Sequence, residues 1–385
     1  MIYLDSAATS FPKADEVAEN IANYVRAGTS PGRSGHRLAR WAEERVDAAR
    51  AQVAQLFSVS DRDRVIFGLN ATMELNAVAH HLARQGGTVL TSAFEHNSVS
   101  RPLHALDRDG ALKHEVIPRT ATEPVDLDWL DARLQHGDVT GVIMTWSSNV
   151  TGTVLPIASA AELCRANGVL IVADAAQAAG YIPIDASTVD ILVFAGHKGL
   201  GGPQGVGGAV IGEGVHLEPF IRGGSGGRSE SPDQPRWLPW SHESGTVNGP
   251  GLAGLAAALK DVTPATVVQR RQRLSDLRAQ LVKGLGGLRG VHVIDPPSAE
   301  PATAVVSFMV DNAPVSAIGE KLEERWDILV RTGLHCAPMA HQAIGTLTTG
   351  TVRMSLGAQT TAAEVETAVG AIETLRNEYQ EAAAA

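Results

Sequence analysis

Two apolar runs in this chain end on groups that could share one reaction. The run 169–173 ends on Asp174, and the run 190–195 ends on Gly196-His197-Lys198. Short runs rich in Val and Ile, bounded by Gly and Asp, read as buried strands. A carboxylate and an amine therefore each stand just past a strand end. The glycines after Lys198 keep backbone bulk away from the amine. This pair suits pyridoxal phosphate: the amine would hold the aldehyde as a Schiff base, and the carboxylate would pair with a protonated ring nitrogen. The ring could then accept electrons from a substrate carbanion. Taken singly, the lysine reads as a surface residue and the aspartate as a loop cap. Gln177, three residues past the aspartate, and His197, beside the lysine, favour the cofactor reading.

Other residues add to the pattern. Gly68-Leu69-Asn70-Ala71-Thr72 follows a strand and opens a helix. Free backbone N–H groups and the helix dipole make such a start an anion site, although an Asn cap without a ligand looks the same. Arg353 lies in a late strand pattern, where a guanidinium can grip a carboxylate in two parallel bonds or sit in a strand-edge salt bridge. Cys336 stands in a Gly- and Pro-bounded loop between Arg331 and Pro338, next to His335. Cationic neighbours favour the thiolate, which is the nucleophilic form, and a mobile loop could bring it to a bound substrate. Cys164, inside a helical pattern, reads as an inert core residue.

These residues need an alternating scaffold. Strand candidates are 64–68, 87–91, 113–117, 140–146, 168–173, 190–195 and 207–211, with helices starting near Ala71, Ser98, Leu127 and Ile157 between them. Alternation of this kind implies a mostly parallel sheet covered by helices on both faces, with ligands beyond the carboxyl ends of the strands. Before it come a short N-terminal strand, a polar loop, a helix over 13–27, the turn-rich loop 28–37 and a helix over 37–57. Leu38, Trp41, Val46 and Val53 are among that last helix's apolar positions. A long Gly-, Pro- and Trp-rich loop covers 213–250, including Gly223 to Gly227, and helices follow over 250–262 and 264–287. Strands near 291–294, 303–309, 328–331 and 351–355, with helices over 315–325 and 361–382, read as a small α+β unit. The expected division is an arm at 1–12, a large domain at 13–250, connecting helices at 251–288 and a small domain at 289–385.

Composition bounds the function. The 385 residues are 44% hydrophobic and 19% charged, as in an ordinary globular protein of about two domains. The net charge of −10 gives no sign of a nucleic-acid partner. No apolar run approaches the roughly 20 residues needed to span a membrane, and no signal peptide is read at the N-terminus. Two cysteines cannot build a disulfide framework, so a reducing, cytoplasmic location is expected. No metal site is expected.

From Tyr3-Leu4-Asp5-Ser6-Ala7-Ala8-Thr9 to the last helix, these motifs recur in one order that resembles the class V aminotransferase group of fold-type I pyridoxal phosphate enzymes. Within it the chain is similar to the group II cysteine desulfurases. The resemblance implies an α/β fold with a seven-stranded, mostly parallel sheet and a small C-terminal domain. It implies that Asn70, Ala71, Thr72 and His197 bind the cofactor phosphate. His96 would stack on the ring and carry protons. Asn149, in Ser148-Asn149-Val150, and Gln177 would meet the ring oxygen. Ala8, Asn149 and Arg353 would contact the substrate. Thr246, in Glu243-Ser244-Gly245-Thr246, would reach the phosphate of a second copy in a homodimer. Cys336 matches the loop nucleophile of an RxGHHCA-type motif, with Leu334 in place of the first His. Ala195 replaces a Ser common in relatives, which removes one phosphate contact. The implied reaction takes sulfur from L-cysteine, leaving alanine and a persulfide on Cys336, with a sulfur-acceptor protein as partner. Competing readings are a selenocysteine or other C–S lyase, an aminotransferase or epimerase of the same fold, and a non-catalytic scaffold docking a sulfur carrier through the 213–250 loop.

Overall fold

The computed structural model describes residues 1–32, 34–225, 231–295, 298 and 300–384. Arg33, Gly226, Gly227 and Ala385, which the sequence places in loops and the tail, lie outside the described residues.

The chain opens with β1 (Ile2–Tyr3), α1 (Asp15–Ala27) and α2 (Arg37–Leu56). The alternating region then runs β2 (Val65–Gly68), α3 (Ala71–Gln85), β3 (Thr88–Thr91), α4 (Asn97–Arg108), β4 (Lys113–Val116), α5 (Leu127–Leu134), β5 (Val139–Thr145), α6 (Ile157–Ala166), β6 (Leu170–Asp174), β7 (Ile191–Ala195) and β8 (Gly207–Ile211). Two helices follow, α7 (Gly249–Leu259) and α8 (Pro264–Gly286). The last part holds β9 (Val291–Ile294), β10 (Val305–Val310), α9 (Val315–Trp326), β11 (Ile328–Leu329), β12 (Arg331–Gly333), α10 (Pro338–Ala343), β13 (Thr351–Ser355) and α11 (Ala362–Ala384).

Seven strands form one sheet in the order β2-β8-β7-β6-β5-β3-β4. β8 alone runs against its neighbours; the other pairings in this sheet are parallel. Apart from the edge strand β4, whose Lys113 and Val116 are exposed, the sheet is buried on both faces, and its side chains divide by the period of two that a pleated strand imposes. Val65, Phe67, Met144, Ala173 and Phe194 pack into one apolar cluster, and Ile66, Ile143, Val172 and Val193 into the other. This accounts for the near-continuous apolar runs in the sequence.

A second sheet, β12-β13-β10-β9, is antiparallel throughout. Helix α8 starts with a capping box between Thr263 and Thr266 and Pro264 in its first turn. Its Leu274, Leu277, Leu281 and Leu285 recur every three or four residues and enter this sheet's core with Phe308, Val352 and Met354. β1 leaves the large sheet altogether: Ile2 and Tyr3 pair with Ile328 and Leu329, and Leu4 joins the core of the smaller sheet.

Two expectations change, and one element is added. The run 328–331 is split, because β11 pairs with β1 while β12 pairs with β13. Leu38 is 42% exposed and does not join the core, since α2 turns that position outward at its first turn. Helix α10 is the addition; at six residues it is too short to show a period in the sequence.

Candidate active site

The carboxyl ends of β2, β3, β5, β6 and β7 lie along one edge of the large sheet. Gly207, the first residue of the reversed β8, sits on the same edge opposite Gly68 and Ala195. The loops leaving this edge carry Asn70, His96, Asn149 and Lys198, and Asp174, expected just past a strand, is itself the last residue of β6. The smaller sheet faces the same edge and adds Arg331 and Arg353. Together they enclose a cavity of about 220 Å³. Of the residues selected from the sequence, Ala8, Asn70, Ala71, Thr72, His96, Asn149, Asp174, Gln177, His197, Lys198 and Arg353 all line it. Thr246 does not. Within one chain it lines a separate cavity of about 380 Å³ with Ser30, Glu43, Arg50 and Trp240.

Burial sets the electrostatics. Lys198 is pulled down to about 8 by desolvation, against the attraction of Asp174. Asp174 is pushed up by the same cause, and its Oδ1 accepts from the Ala176 N–H at 2.9 Å. His96 is lowered to about 4 by burial and by Lys198, so its ring is neutral. Its Nδ1 accepts from the Ser98 N–H at 3.0 Å, which puts the ring hydrogen on Nε2. Ser98 Oγ bonds to both His96 Nδ1 and Thr72 Oγ1, linking the starts of α3 and α4. His197 is also lowered to about 4, by burial and by Lys198. The Thr9 hydroxyl gives its one hydrogen to the His197 carbonyl at 2.9 Å. His197 Nδ1 must therefore donate to Thr9 Oγ1 at 3.1 Å, which leaves Nε2 free.

The helix start at 70–72 keeps its anion-binding geometry. Asn70 caps α3 by accepting from the Met73 N–H at 3.0 Å. The N–H groups of Ala71 and Thr72 have no partner within the helix, as at any helix start. A Cβ on Gly207 would stand 2.7 Å from Asn70 Cα, so only glycine lets β8 pass this close.

Arg353 differs from the strand-edge alternative. It lies on β13, inside the smaller sheet, and is 1% exposed. Its Nη2 pairs with Asp5 Oδ1 at 2.6 Å and its Nη1 donates to the Asn149 carbonyl at 3.0 Å, while Nε is buried without a partner among the described residues. Asn149 in turn donates its side-chain N–H to the His335 carbonyl at 2.7 Å, and its Oδ1 stays available. Gln177 donates to the Ala7 carbonyl at 2.8 Å.

Cys336 is exposed beside the cavity rather than in its wall, while its neighbours Arg331 and His335 line it. Arg331 Nη2 donates to Cys336 Sγ at 3.3 Å. The loop is a tight turn with Gly333, His335 and Cys336 at φ of 102°, 49° and 58°. The backbone N–H of Asn97 holds the Cys336 carbonyl at 2.8 Å. The sequence suggested a mobile loop; the observed one is clamped from two sides.

Several residues of this site went unselected. Asp5, Thr9 and Ser98 lie inside or beside the motifs already singled out, so proximity was their only signal. Lys13 donates to Ser10 Oγ and to the His197 carbonyl, and burial lowers it to about 8. Arg270, on α8, donates to the carbonyls of Gly180 and Gly199 at 2.9 and 2.7 Å. One guanidinium so pins the loop after Asp174 to the residue after Lys198; nothing in an arginine-rich helix points to this. Glu95, wholly buried, accepts from the Thr145 N–H and the Ser92 hydroxyl. Glu243 takes a two-pronged bond from Arg50, with both distances 2.8 Å, and a further one from the Phe67 N–H. That pair anchors the loop carrying Thr246 to α2 and β2.

The geometry has close counterparts. The sequence pattern of the family described as Aminotransferase class-V matches residues 2–367. The chain is 30% identical over 351 residues to a cysteine desulfurase of Yersinia pseudotuberculosis serotype O:1b, covering 88% of this chain and 84% of that protein. It is 29% identical to a probable cysteine desulfurase of Pyrococcus abyssi, covering 97% and 94%. Among solved structures, the apo cysteine desulfurase of Thermococcus onnurineus NA1 superposes with a TM-score of 0.90 at 28% identity, covering 98% of this chain and 95% of that one. A cysteine desulfurase of Escherichia coli, solved as its S-sulfonic acid, gives 0.85 at 27% identity over 98% and 94%.

Proposed function

We propose that this chain, which belongs to the aminotransferase class-V family, is a pyridoxal-phosphate-dependent L-cysteine desulfurase. The observation that carries the reading is the position of Cys336: exposed, bonded by Arg331, and beside a cavity lined by Lys198, Asp174 and Arg353.

The residues present fit the cofactor. A buried amine close to neutrality, a buried carboxylate, an open helix start and a glycine passing it match the aldehyde, ring nitrogen and phosphate of pyridoxal phosphate. Lys198 would hold the aldehyde and Asp174 the ring nitrogen. Ala71, Thr72, Asn70 and His197 would hold the phosphate; an anion at His197 Nε2 favours its protonated ring. Gln177 and Asn149 would flank the ring oxygen, and His96 would cover the ring. When bound, the cofactor supplies an electron sink that makes the substrate Cα hydrogen acidic and weakens the Cβ–S bond.

The protein's own groups do the rest. Arg353 is the buried cation able to orient the substrate carboxylate, with its Nε still unpartnered. Ala8 would form the wall opposite. The lowered pKa of Lys198 leaves a share of free amine near neutral pH, able to take the Cα proton. His96, neutral and with its hydrogen on Nε2, can pass a proton from that atom. Cys336 Sγ, as thiolate, attacks the substrate sulfur. An S–S bond forms as the Cβ–S bond breaks, and the electron pair returns to the carbon skeleton, which takes up protons and leaves as alanine. The persulfide stays on Cys336 at the surface, where a sulfur-acceptor protein would collect it.

Thr246 would complete the phosphate site of a second copy in a homodimer, since within one chain it lines a separate cavity. The two free cysteines suit a reducing, cytoplasmic setting. Among the described residues no single helix is long and apolar enough to cross a membrane.

The deciding experiment is product analysis with L-cysteine, with and without a thiol reductant, on wild type and Cys336→Ala. Alanine plus reductant-released sulfide, lost in a variant that keeps its cofactor absorbance, supports the desulfurase. Alanine formed at full rate without Cys336 moves the protein to the C–S lyases. A requirement for a keto acid moves it to the aminotransferases.

A further inference from the structure

Below the Cys336 turn lies a line of buried polar groups that the reaction just described does not use. His335 Nε2 meets Thr351 Oγ1 at 3.0 Å, Thr351 Oγ1 meets Ser307 Oγ at 3.2 Å, and Ser307 Oγ meets the Val150 carbonyl at 2.6 Å. His335 is 2% exposed, and Ser307, Thr351 and Val150 are wholly buried. The direction of every hydrogen along this line follows from its last member. A carbonyl only accepts, so Ser307 spends its single hydrogen on Val150. Ser307 must then accept from Thr351, which spends its own. Thr351 can therefore only accept from the histidine, and His335 carries its hydrogen on Nε2. Its Nδ1 is buried with no partner among the described residues.

We propose that His335 is a positioning residue for Cys336, acting only through its Nε2–H. Two more bonds meet at the same turn. The Asn149 side chain holds the His335 carbonyl, and the Asn97 N–H holds the Cys336 carbonyl. The side-chain line ties the turn down to β13, β10 and the loop after β5, which also carries Asn149. Both His335 and Cys336 have positive φ, a conformation uncommon for residues other than glycine, and two in succession persist only where surrounding bonds enforce them. Without the Nε2–H bond the turn would relax and Sγ would leave its place beside the cavity. His335 is not the base that takes the thiol proton. Burial, then the charge of Arg353, lowers it to about 2, and the ring stays neutral. A side chain that keeps one donor at the position of Nε2 should therefore serve, and the unpartnered Nδ1 is dispensable.

The inference rests on the desulfurase reading, so its test carries two readouts on wild type, His335→Gln, His335→Leu and Thr351→Val. The first is single-turnover persulfide formation on Cys336 with L-cysteine, followed by mass spectrometry. His335→Leu and Thr351→Val are expected to lose about 100-fold, the scale of an ångström-sized misplacement of a reacting group, with the cofactor absorbance band intact. His335→Gln, which restores the donor, is expected to stay near the wild-type rate. The second is the rate of alkylation of Cys336 by iodoacetamide without cysteine. There His335→Leu and Thr351→Val should depart from wild type and His335→Gln should not. If His335→Gln is as slow as His335→Leu, or His335→Leu matches wild type, the positioning role is overturned. If wild type forms no persulfide, the desulfurase reading fails, and the alkylation rates alone decide the positioning role: equal rates in all four proteins overturn it.

Discussion

Replacing Glu95 by glutamine should make this protein more stable in mild alkali. Glu95 is 0% exposed, directly before His96. Its Oε1 accepts the Thr145 N–H at 2.8 Å and the Ser92 hydroxyl at 2.5 Å, while Oε2 has no partner among the described residues. Desolvation raises its pKa from 4.5 to about 8, with the charge of Asp174 adding to the rise. The folded protein therefore keeps a proton that the unfolded chain releases above 4.5. Stability must fall as pH rises from the unfolded value, and the fall ends above the folded one. Each pH unit in that window costs about 1.4 kcal/mol, so ionising Glu95 costs at most roughly 5 kcal/mol once pH exceeds 8. Glutamine keeps the acceptor at Oε1 and has no proton to lose. Its amide nitrogen takes the place of an already unpartnered oxygen. The assay is chemical denaturation of wild type and Glu95→Gln at intervals from roughly pH 5 to 9, the range over which the linkage acts. The two proteins should be similar at the acid end, and the variant should gain several kcal/mol at the alkaline end. Glu74, likewise buried and raised to about 8, gives both proteins a common residual slope. Parallel curves for the two proteins, or a variant weaker than wild type in alkali, would refute the burial argument.

Three further outcomes follow from the same geometry. Arg50→Met strands Glu243, whose side chain is 8% exposed, without its cation; a loss of about 3–5 kcal/mol in denaturation is expected. Removing both charges should restore much of it, and an unchanged single variant would show that the pair does not anchor the loop. Gly207→Ala drives a Cβ to 2.7 Å from Asn70 Cα. Relieving that clash costs about 1–3 kcal/mol, which should appear as roughly 10- to 100-fold faster loss of cofactor absorbance on dialysis. Retention equal to wild type would remove the start of α3 from the phosphate site. Arg353→Lys gives up the planar fork that pairs with a carboxylate. Charged hydrogen bonds are worth about 1.5–3 kcal/mol, so KM for L-cysteine should rise roughly 10- to 100-fold with kcat less affected. An unchanged KM would leave Arg353 a purely structural partner of Asp5.

How much of this was legible in the sequence depends on the range of the interaction. The strands 207–211, 291–294 and 351–355 match the structure residue for residue, because runs that start at or just after a glycine and hold β-branched residues are a local signal. Parallel strands alternating with helices then require that the loops after β2, β3, β5, β6 and β7 share one edge, so Asn70, His96, Asn149, Asp174 and Lys198 meet in one cavity. Their residue types and order were enough to gather them. What only the tertiary structure decided are the long-range pairings. Asp5 meets Arg353 across 348 positions, Arg50 meets Glu243 across 193, and Arg270 reaches Gly199 across 71. Arginines and acids are common everywhere on a chain, and no spacing rule links such distant positions. The proton direction on His335 was equally hidden, since it follows from three bonds joining the Cys336 turn to β13, β10 and the loop after β5. The residue types and order settled which chemistry the chain can do. The packing of the smaller sheet against the larger settled which atoms face one another, because desolvation and hydrogen-bond direction depend on neighbours that come together only when the chain folds.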